Sequence, residues 1–261
     1  MKQIDTKDID NLPGVKLNDE DTFSFQCHSK LGCFNKCCRN LNLFLYPYDV
    51  IRLKNRLSIS SDSFIDKHVD IVLRKSSFFP DVLLSMADNA EKTCPFLTDA
   101  GCSVYTDRPD ACRSFPLEVG IMYDNNFQEK RAVHFFRPPE FCLGQNEKTT
   151  WTAKTWTKDQ EAVMYNKMTT LWSQLKSRFQ TNPWGKEGPQ GRKGKMAFMA
   201  TYNIDKFRSF ILNSTFLKRY GLNRSLLKKV KTDDRELMLI GFEWVKLFIW
   251  GEQSSFIKPV G

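Results

Sequence analysis

Eight cysteines, Cys27, Cys33, Cys37, Cys38, Cys94, Cys102, Cys112 and Cys142, stand in a chain of 261 residues. The first group runs Cys27-x5-Cys33-x3-Cys37-Cys38; the second runs Cys94-x7-Cys102-x9-Cys112, with Cys142 further on. Thiolates are soft, anionic donors, and four of them satisfy a tetrahedral Zn²⁺ or a cubane iron–sulfur cluster. Ligands drawn from separated segments also tie loops together and so add folding free energy. Eight thiols permit two sets of four, and equally one four-ligand site with spare cysteines. His28 and His134 are additional candidate ligands, because imidazole binds both metals.

Successive side chains diverge in most backbone conformations, so Cys37 and Cys38 are not expected to serve the same ion. The second group has its own frame: Cys94-Pro95-Phe96-Leu97, then Gly101-Cys102-Ser103-Val104-Tyr105, then Arg108-Pro109-Asp110-Ala111-Cys112-Arg113-Ser114-Phe115-Pro116. Gly101 permits a tight turn that returns Cys102 towards Cys94. Pro109 opens one short helical turn and Pro116 stops it, which places Cys112 in the first turn. There, backbone N–H groups and the cations Arg108 and Arg113 favour a thiolate and would flank a bound metal group. Tyr105 and Phe115 are expected in the core.

The run C-x5-C-x3-CC followed by CPFL…GCSVYTDRPDACRSFP resembles the YkgJ-type cysteine-cluster family of zinc- or iron-chelating domains, over roughly residues 25–145. The later segments Asp205-Lys206-Phe207-Arg208-Ser209-Phe210 and Asp233-Asp234-Arg235-Glu236-Leu237 are similar to the extension of longer members. The resemblance implies metal chelation by these cysteines. Members usually space their first two cysteines more closely, so Cys27 departs most from the family pattern. A related cluster in the flagellin lysine-N-methylases is linked to an iron–sulfur cluster, which makes a metal-dependent, protein-modifying enzyme the alternative reading. The chain has no C-x2-C pair of the zinc-knuckle kind and no C-x3-C-x2-C pattern of radical enzymes. Cys94-Pro95 matches the ending of bacterial ferredoxin runs, which tips the expectation from zinc towards an iron–sulfur cluster. The sequence assigns no catalytic residue.

The elements that must hold these residues divide by charge. Residues 1–150 contain all eight cysteines, with 19 Lys+Arg against 21 Asp+Glu, whereas residues 151–261 carry 20 against 9. The expected organisation is a flexible N-terminus over 1–22, a cysteine-cluster metal domain over 23–150 and a basic helical region over 151–261. The fold class is α+β, mainly α: a loop-rich domain with short strands, followed by a small helical bundle. Strands are expected over Leu41–Tyr46, within Phe78–Met86 and over Arg131–Phe136. Pro47 opens a helix with Val50, Leu53 and Leu57 on one face, and a second follows Ser60–Ser63 with Phe64, Ile65 and His68 inward.

Later, a Thr157–Gln160 capping box precedes Tyr165, Met168, Trp172, Leu175 and Phe179 at helical spacing. Residues 182–195 read as a breaker-rich connection. Asn203 caps a helix burying Phe207, Phe210, Ile211 and Leu217 and ending near Gly221. A last helix starts at Thr232, with Leu237, Ile240, Trp244, Val245 and Phe248 on one face.

Hydrophobic residues make up 41% of the chain and charged residues 26%, a globular composition that excludes a wholly disordered or collagen-like polymer. No run of apolar residues is long enough to span a membrane, and Met1-Lys2-Gln3-Ile4-Asp5 has no signal-peptide character. The expectation is a cytoplasmic protein, where clustered cysteines are metal ligands or reactive thiols rather than disulfides. The expected partners are a metal ion or cluster, and a protein docked on the C-terminal helices. Lys186, Arg192, Lys193 and Lys195, with Lys228-Lys229-Val230-Lys231, offer charge for a nucleic acid, but a solvated surface explains them more simply. Phosphate-cradling glycine motifs and a G-x-S-x-G elbow are absent.

Overall fold

The computed structural model describes residues 2–4, 13–75, 77–123, 129–254 and 256–260. The chain opens with three short strands, β1 (Lys2–Ile4), β2 (Val15–Leu17) and β3 (Thr22–Ser24). After the first cysteine group come α1 (Pro47–Arg56), α2 (Ser61–His68), β4 (Val69–Val72) and β5 (Asp81–Leu84). The second group spans β6 (Leu97–Thr98), β7 (Gly101–Cys102) and the short helix α3 (Asp110–Ser114). The strands β8 (Leu117–Tyr123), β9 (Glu129–Phe136) and β10 (Thr150–Thr152) precede α4 (Ala153–Asp159) and α5 (Val163–Arg178). Then follow α6 (Arg192–Thr201), α7 (Ile204–Asn213), α8 (Phe216–Arg219), β11 (Tyr220–Gly221), α9 (Arg224–Thr232), α10 (Asp234–Trp250) and β12 (Lys258–Pro259). The class is α+β, mainly α.

Packing divides the chain into two compact units, residues 1–44 with 84–177 and residues 45–83 with 178–261. The division expected near residue 150 concerns charge and cysteine content, whereas these units are defined by contacts.

In the first unit a four-stranded sheet has the order β1-β8-β9-β2, with β1 parallel to β8 and the other pairs antiparallel. A separate pair joins β3 to β10. Between these elements Leu17, Phe23, Phe25, Leu117, Cys142, Ala153 and Trp156 form a buried cluster, against which Phe115, Phe136 and Trp151 pack. Tryptophan carries a polar N–H that must be satisfied when buried. Trp156 donates to the Ser114 carbonyl at 3.0 Å and Trp151 to the Phe25 carbonyl at 2.8 Å. These bonds fix the backbone just before Cys27 and just after Cys112.

In the second unit Pro47 occupies the first turn of α1, and Val50 and Leu53 are fully buried. α10 buries Leu237, Ile240, Trp244 and Val245. Its start is capped by Asp233, whose carboxylate accepts from the N–H groups of Arg235 and Glu236, both at 3.0 Å. Gly241 has a packing reason: a Cβ there would lie 2.2 Å from the Ala200 carbonyl oxygen, so α6 and α10 approach at a point only glycine allows.

Several local expectations change. Residues 41–46 contain only an isolated bridge position; Leu45 donates to the Val82 carbonyl, and the Leu43 carbonyl accepts from Leu84, which is too little for a strand. The capping box lies one helix earlier than expected, with Thr152 and Thr155 opening α4 while Gln160 closes it. The breaker-rich stretch ends at Gly191, and α6 begins inside the expected loop. The Asn203-capped helix stops at Asn213, and Leu217 on α8 is exposed. α9 was not expected, and the last helix starts at Asp234 rather than Thr232. Within residues 1–22, β1 and β2 are sheet members and β3 pairs with β10; residues 5–12 lie outside the described residues. Tyr105 is 59% exposed rather than in the core, with the Arg108 guanidinium 3.9 Å from its ring centre.

Candidate metal centre

All eight cysteines belong to the first unit, and all are free thiols. Cys27 follows β3 and is exposed, Cys33 is buried in the next loop, and Cys37 and Cys38 share a single 3-10 turn, Lys36–Cys38. Asn35 starts that turn with a left-handed backbone, φ 63°, a conformation asparagine tolerates well. Cys94 precedes β6, Cys102 ends β7, Cys112 lies in α3, and Cys142 is the buried residue that begins the 3-10 turn Leu143–Asn146.

Backbone pairing brings these segments together. The Leu143 N–H donates to Cys33 Sγ at 3.2 Å, and the Gln26 N–H donates to the Gly144 carbonyl at 3.0 Å. Cys27, Cys33 and Cys142 are thereby carried by neighbouring backbone. On the other side, the Cys94 N–H donates to the Cys38 carbonyl at 2.8 Å, beside the Arg39–Thr93 bridge. Cys102 stands opposite Leu97 in the β6–β7 pair, and the Leu97 N–H returns to the Cys94 carbonyl at 3.0 Å. Gly101 makes the tight turn between these strands with φ +114°, which an L side chain rarely adopts.

The thiols act on one another in the same groups. Burial raises the Cys27 thiol to about 11, and Cys37, Cys142 and Cys33 add to the rise. Cys142 is raised by burial and then feels Cys33 and Cys37. Cys94 is raised by burial and feels Cys102. Cys37 and Cys38 share a thiol hydrogen bond; it lowers Cys37 to about 7 and raises Cys38, which burial, Cys37, Cys112 and Cys94 raise further. Their protons therefore belong to the pair.

A second pattern concerns the sulfurs' acceptor bonds. Backbone N–H groups work against the burial that raises three of these thiols: those of Phe96 and Leu97 at Cys94, those of Gly144 and Gln145 at Cys142, and that of Val104 at Cys102. In each case the chain folds back over the sulfur two or three residues on. Such N–H donors favour the anionic sulfur that a metal needs. Gly144, two residues after Cys142, lies where a Cβ would sit 2.7 Å from the Gln26 carbonyl oxygen.

The two arginines do different work. Arg108 faces both Cys102 and Cys112, and it opposes the burial that raises Cys102. It also donates to the Tyr105 carbonyl and to Gln160 Oε1, both at 2.7 Å. Arg113 is almost wholly buried and donates to the Gln160 and Thr106 carbonyls, both at 2.6 Å, with its guanidinium 4.4 Å from the Tyr165 ring centre. These contacts pin α3 to the chain between α4 and α5. The sequence offered Gln160 as a capping-box partner and Tyr165 as a core residue, and neither as a partner of these arginines.

His28 Nε2 lies 3.7 Å from Glu147, and its Nδ1 is buried without a hydrogen-bond partner among the described residues. His134 sits in β9 opposite Val119, its pKa lowered by burial. A cleft of about 370 Å³ is lined by Phe34, Asn35, Arg39, Thr93, Leu97 and Thr98, among others. Arg39 and Thr93 are chain neighbours of Cys38 and Cys94, and Leu97 is the cross-strand partner of Cys102, but no cysteine lines the cleft itself.

The donor set suits a thiophilic metal: soft sulfurs, backbone N–H groups aimed at them and a cation beside them. Among the described residues, no group of three or more Cys, His, Asp or Glu side chains is already arranged as a metal cluster.

The family model for the CxxCxxCC domain matches residues 26–155, about half of the chain. Its description is "putative zinc- or iron-chelating domain". This chain belongs to that family. The matched region runs from Gln26 through every cysteine and into α4. The spacing departs from the motif that names the family, since gaps of five and three residues separate the first cysteines. Comparison with curated proteins and with solved structures returned no match. Among the described residues, no helix is long and apolar enough to cross a membrane.

Proposed function

We propose that this protein is a cytoplasmic metal-binding protein whose eight cysteines chelate an iron–sulfur cluster or zinc, with a redox or metal-handling role. The observation that carries the reading is the backbone pairing of the cysteine-bearing segments, with the Leu143 N–H donating to the buried Cys33 Sγ at 3.2 Å and the Cys94 N–H to the Cys38 carbonyl at 2.8 Å. A buried thiol that packs as a small hydrophobe has no need of such donors. Four thiolates suit a [4Fe–4S] cluster as well as they suit Zn²⁺, and Cys94-Pro95 favours iron. Arg108 would offset part of the negative charge of the thiolates. The helices of the second unit would dock a protein partner.

Purification without oxygen, followed by metal and sulfide analysis and an absorption spectrum, tests the reading. A broad band near about 400 nm, from sulfur-to-iron charge transfer, supports the cluster. A colourless protein with stoichiometric zinc supports chelation and rejects iron. Protein with neither metal, and unable to take either up, overturns the proposal.

A further inference from the structure

We infer that β4, in the second unit, is an interface between two copies of this chain. Two β4 strands would pair antiparallel about a twofold axis at Val72 and join two β4–β5 pairs into one four-stranded sheet. This pairing needs no metal.

The segment Val69-Asp70-Ile71-Val72-Leu73-Arg74-Lys75 has the aliphatic, β-branched residues of a strand, yet every residue from Asp70 to Lys75 is exposed. Ile71 is 50% exposed, and Val72 and Leu73 are 39%. Successive side chains of a strand point to opposite faces, so β4 is open on both. β5 lies further in: Asp81 and Val82 are buried, and the Val82 carbonyl accepts from the Leu45 N–H at 2.8 Å. Outside the β4–β5 pair, none of the backbone bonds among the described residues falls on Asp70–Leu73. β4 therefore presents an apolar outer edge, the kind that templates a further strand.

Charge complementarity selects a second copy as the occupant. Edges that resist association carry charges that repel another strand; β4 carries the reverse. With Val72 opposite Val72, the antiparallel register sets Ile71 against Leu73 and Asp70 against Arg74, each twice because the contact is isologous. Ile71 and Leu73 of both copies then share one face, and on the other the two Val72 side chains lie between two Asp70–Arg74 pairs. Centring the pair on Ile71 or on Leu73 would set Asp70 or Arg74 against Val72 and lose both ion pairs, so one register is favoured. The buried carboxylate of Asp81 holds the Arg74 guanidinium in place while that side chain stays 60% exposed. Asp70 is exposed and enters no ion pair among the described residues. The net charge of +9 opposes the approach of two copies. One strand pair also covers far less than the ~1,600 Å² of a standard interface. Dissociation is therefore expected on the order of 100 μM.

The test is sedimentation equilibrium of the full-length protein in reducing buffer, from about 10 μM to about 1 mM, paired with amide hydrogen exchange at both ends of that range. The average mass should rise from monomer towards dimer, and the amides of residues 70–74 should exchange more slowly in the concentrated sample. Val72→Lys sets two ammonium groups opposite each other at the axis, and Asp70→Arg sets an arginine against Arg74. Each should weaken association at least about tenfold and, being at an exposed position, keep native circular dichroism. A protein that stays monomeric to about 1 mM overturns the pairing, whether β4 is then left to solvent or taken by another protein's strand. A dimer that neither folded variant weakens, or that leaves the amides of residues 70–74 unprotected, overturns it too. The wild-type exchange pattern decides the matter even if a variant fails to fold.

Discussion

The sulfur of Cys33 accepts a hydrogen bond from the backbone N–H of Leu143 at 3.2 Å, across 110 positions of sequence. One contact thus joins the first cysteine group to the isolated Cys142. It depends on the turn at Leu143–Asn146 lying close against Gln26.

Gly144→Ala should break that approach. The added Cβ would meet the Gln26 carbonyl oxygen at 2.7 Å and the Phe25 ring at 3.0 Å, neither of which can move without disturbing the core around Trp156. Overpacking of this kind costs about 1–3 kcal/mol. Denaturant unfolding should show that loss, and alkylation of the metal-free protein should show faster modification of Cys33. Unchanged stability and reactivity would mean that the turn adapts and does not hold Cys33 in place.

Arg113→Ala and Arg108→Ala should separate folding from metal binding. Removing Arg113 takes both guanidinium bonds from the Gln160 and Thr106 carbonyls and empties a site where its side chain is 1% exposed, at about 1–3 kcal/mol in all. It should lower the thermal midpoint of the metal-free protein more than Arg108→Ala does. Arg108 is the cation that faces Cys102 and Cys112, so its loss should weaken zinc affinity, read by competition with a chelating dye. Equal effects of the two variants on both measurements would reject this assignment.

The cysteine groups, the short turn opened by Pro109 and the helix begun by Pro47 were legible in the sequence because each is a local pattern. The α+β class followed from the same kind of signal. The grouping of the thiols was not legible, since it depends on Cys38 meeting Cys94 and Cys33 meeting Leu143 across long loops. α6 was missed because Gly194 looks like a helix breaker, yet a Cβ there would collide with the Pro189 carbonyl oxygen, so its glycine serves packing. Thr157 and Gln160 had the residue types of a capping box, but Thr152 and Thr155 made the bonds. Arg113 looked like a charge beside a thiol, and only its burial shows that it anchors α3.

The second unit should lose stability in acid through one buried network. Burial raises Asp205, but the Ser61 N–H, Lys54 and Arg208 overcome it and hold the carboxyl below its ordinary value. Asp234 is likewise raised by burial and then lowered further by Asn55, Lys54 and Arg208. Because both folded-state values lie below the unfolded ones, the stabilisation is present above the unfolded value of about 3.9 and is lost as pH falls through the folded values. Lys54 lies 3.2 Å from Asp205 and 3.0 Å from Asp234, with its side chain 7% exposed. Lys54→Met should therefore cost about 3–5 kcal/mol at neutral pH, by leaving two carboxylates partly unpaired. Its penalty should shrink in acid as those groups protonate. Urea unfolding at neutral and acidic pH checks both the size and the sign; a penalty independent of pH would show that lost packing, not charge, sets the cost.

Metal removal should loosen the first unit in particular places. The segments around Cys27–Cys38, Cys94–Cys112 and Cys142 hold short strands and single turns, with little regular hydrogen bonding of their own. A bound metal would supply their cross-links, and its binding free energy would appear as folding free energy. Most of these thiols are raised in the metal-free state, so metal binding should release protons and weaken below neutral pH. Amide hydrogen exchange before and after treatment with a strong chelator measures this segment by segment. Faster exchange is expected at Leu97, Ser103 and Leu143, whose N–H groups bond within the cysteine loops. The buried amides of α10, around Ile240 and Trp244, should keep their protection, because their helix draws its stability from apolar packing. Exchange that stays slow at all three loop amides after complete metal removal would show that the loops stand without a metal, leaving chelation no structural part in this fold.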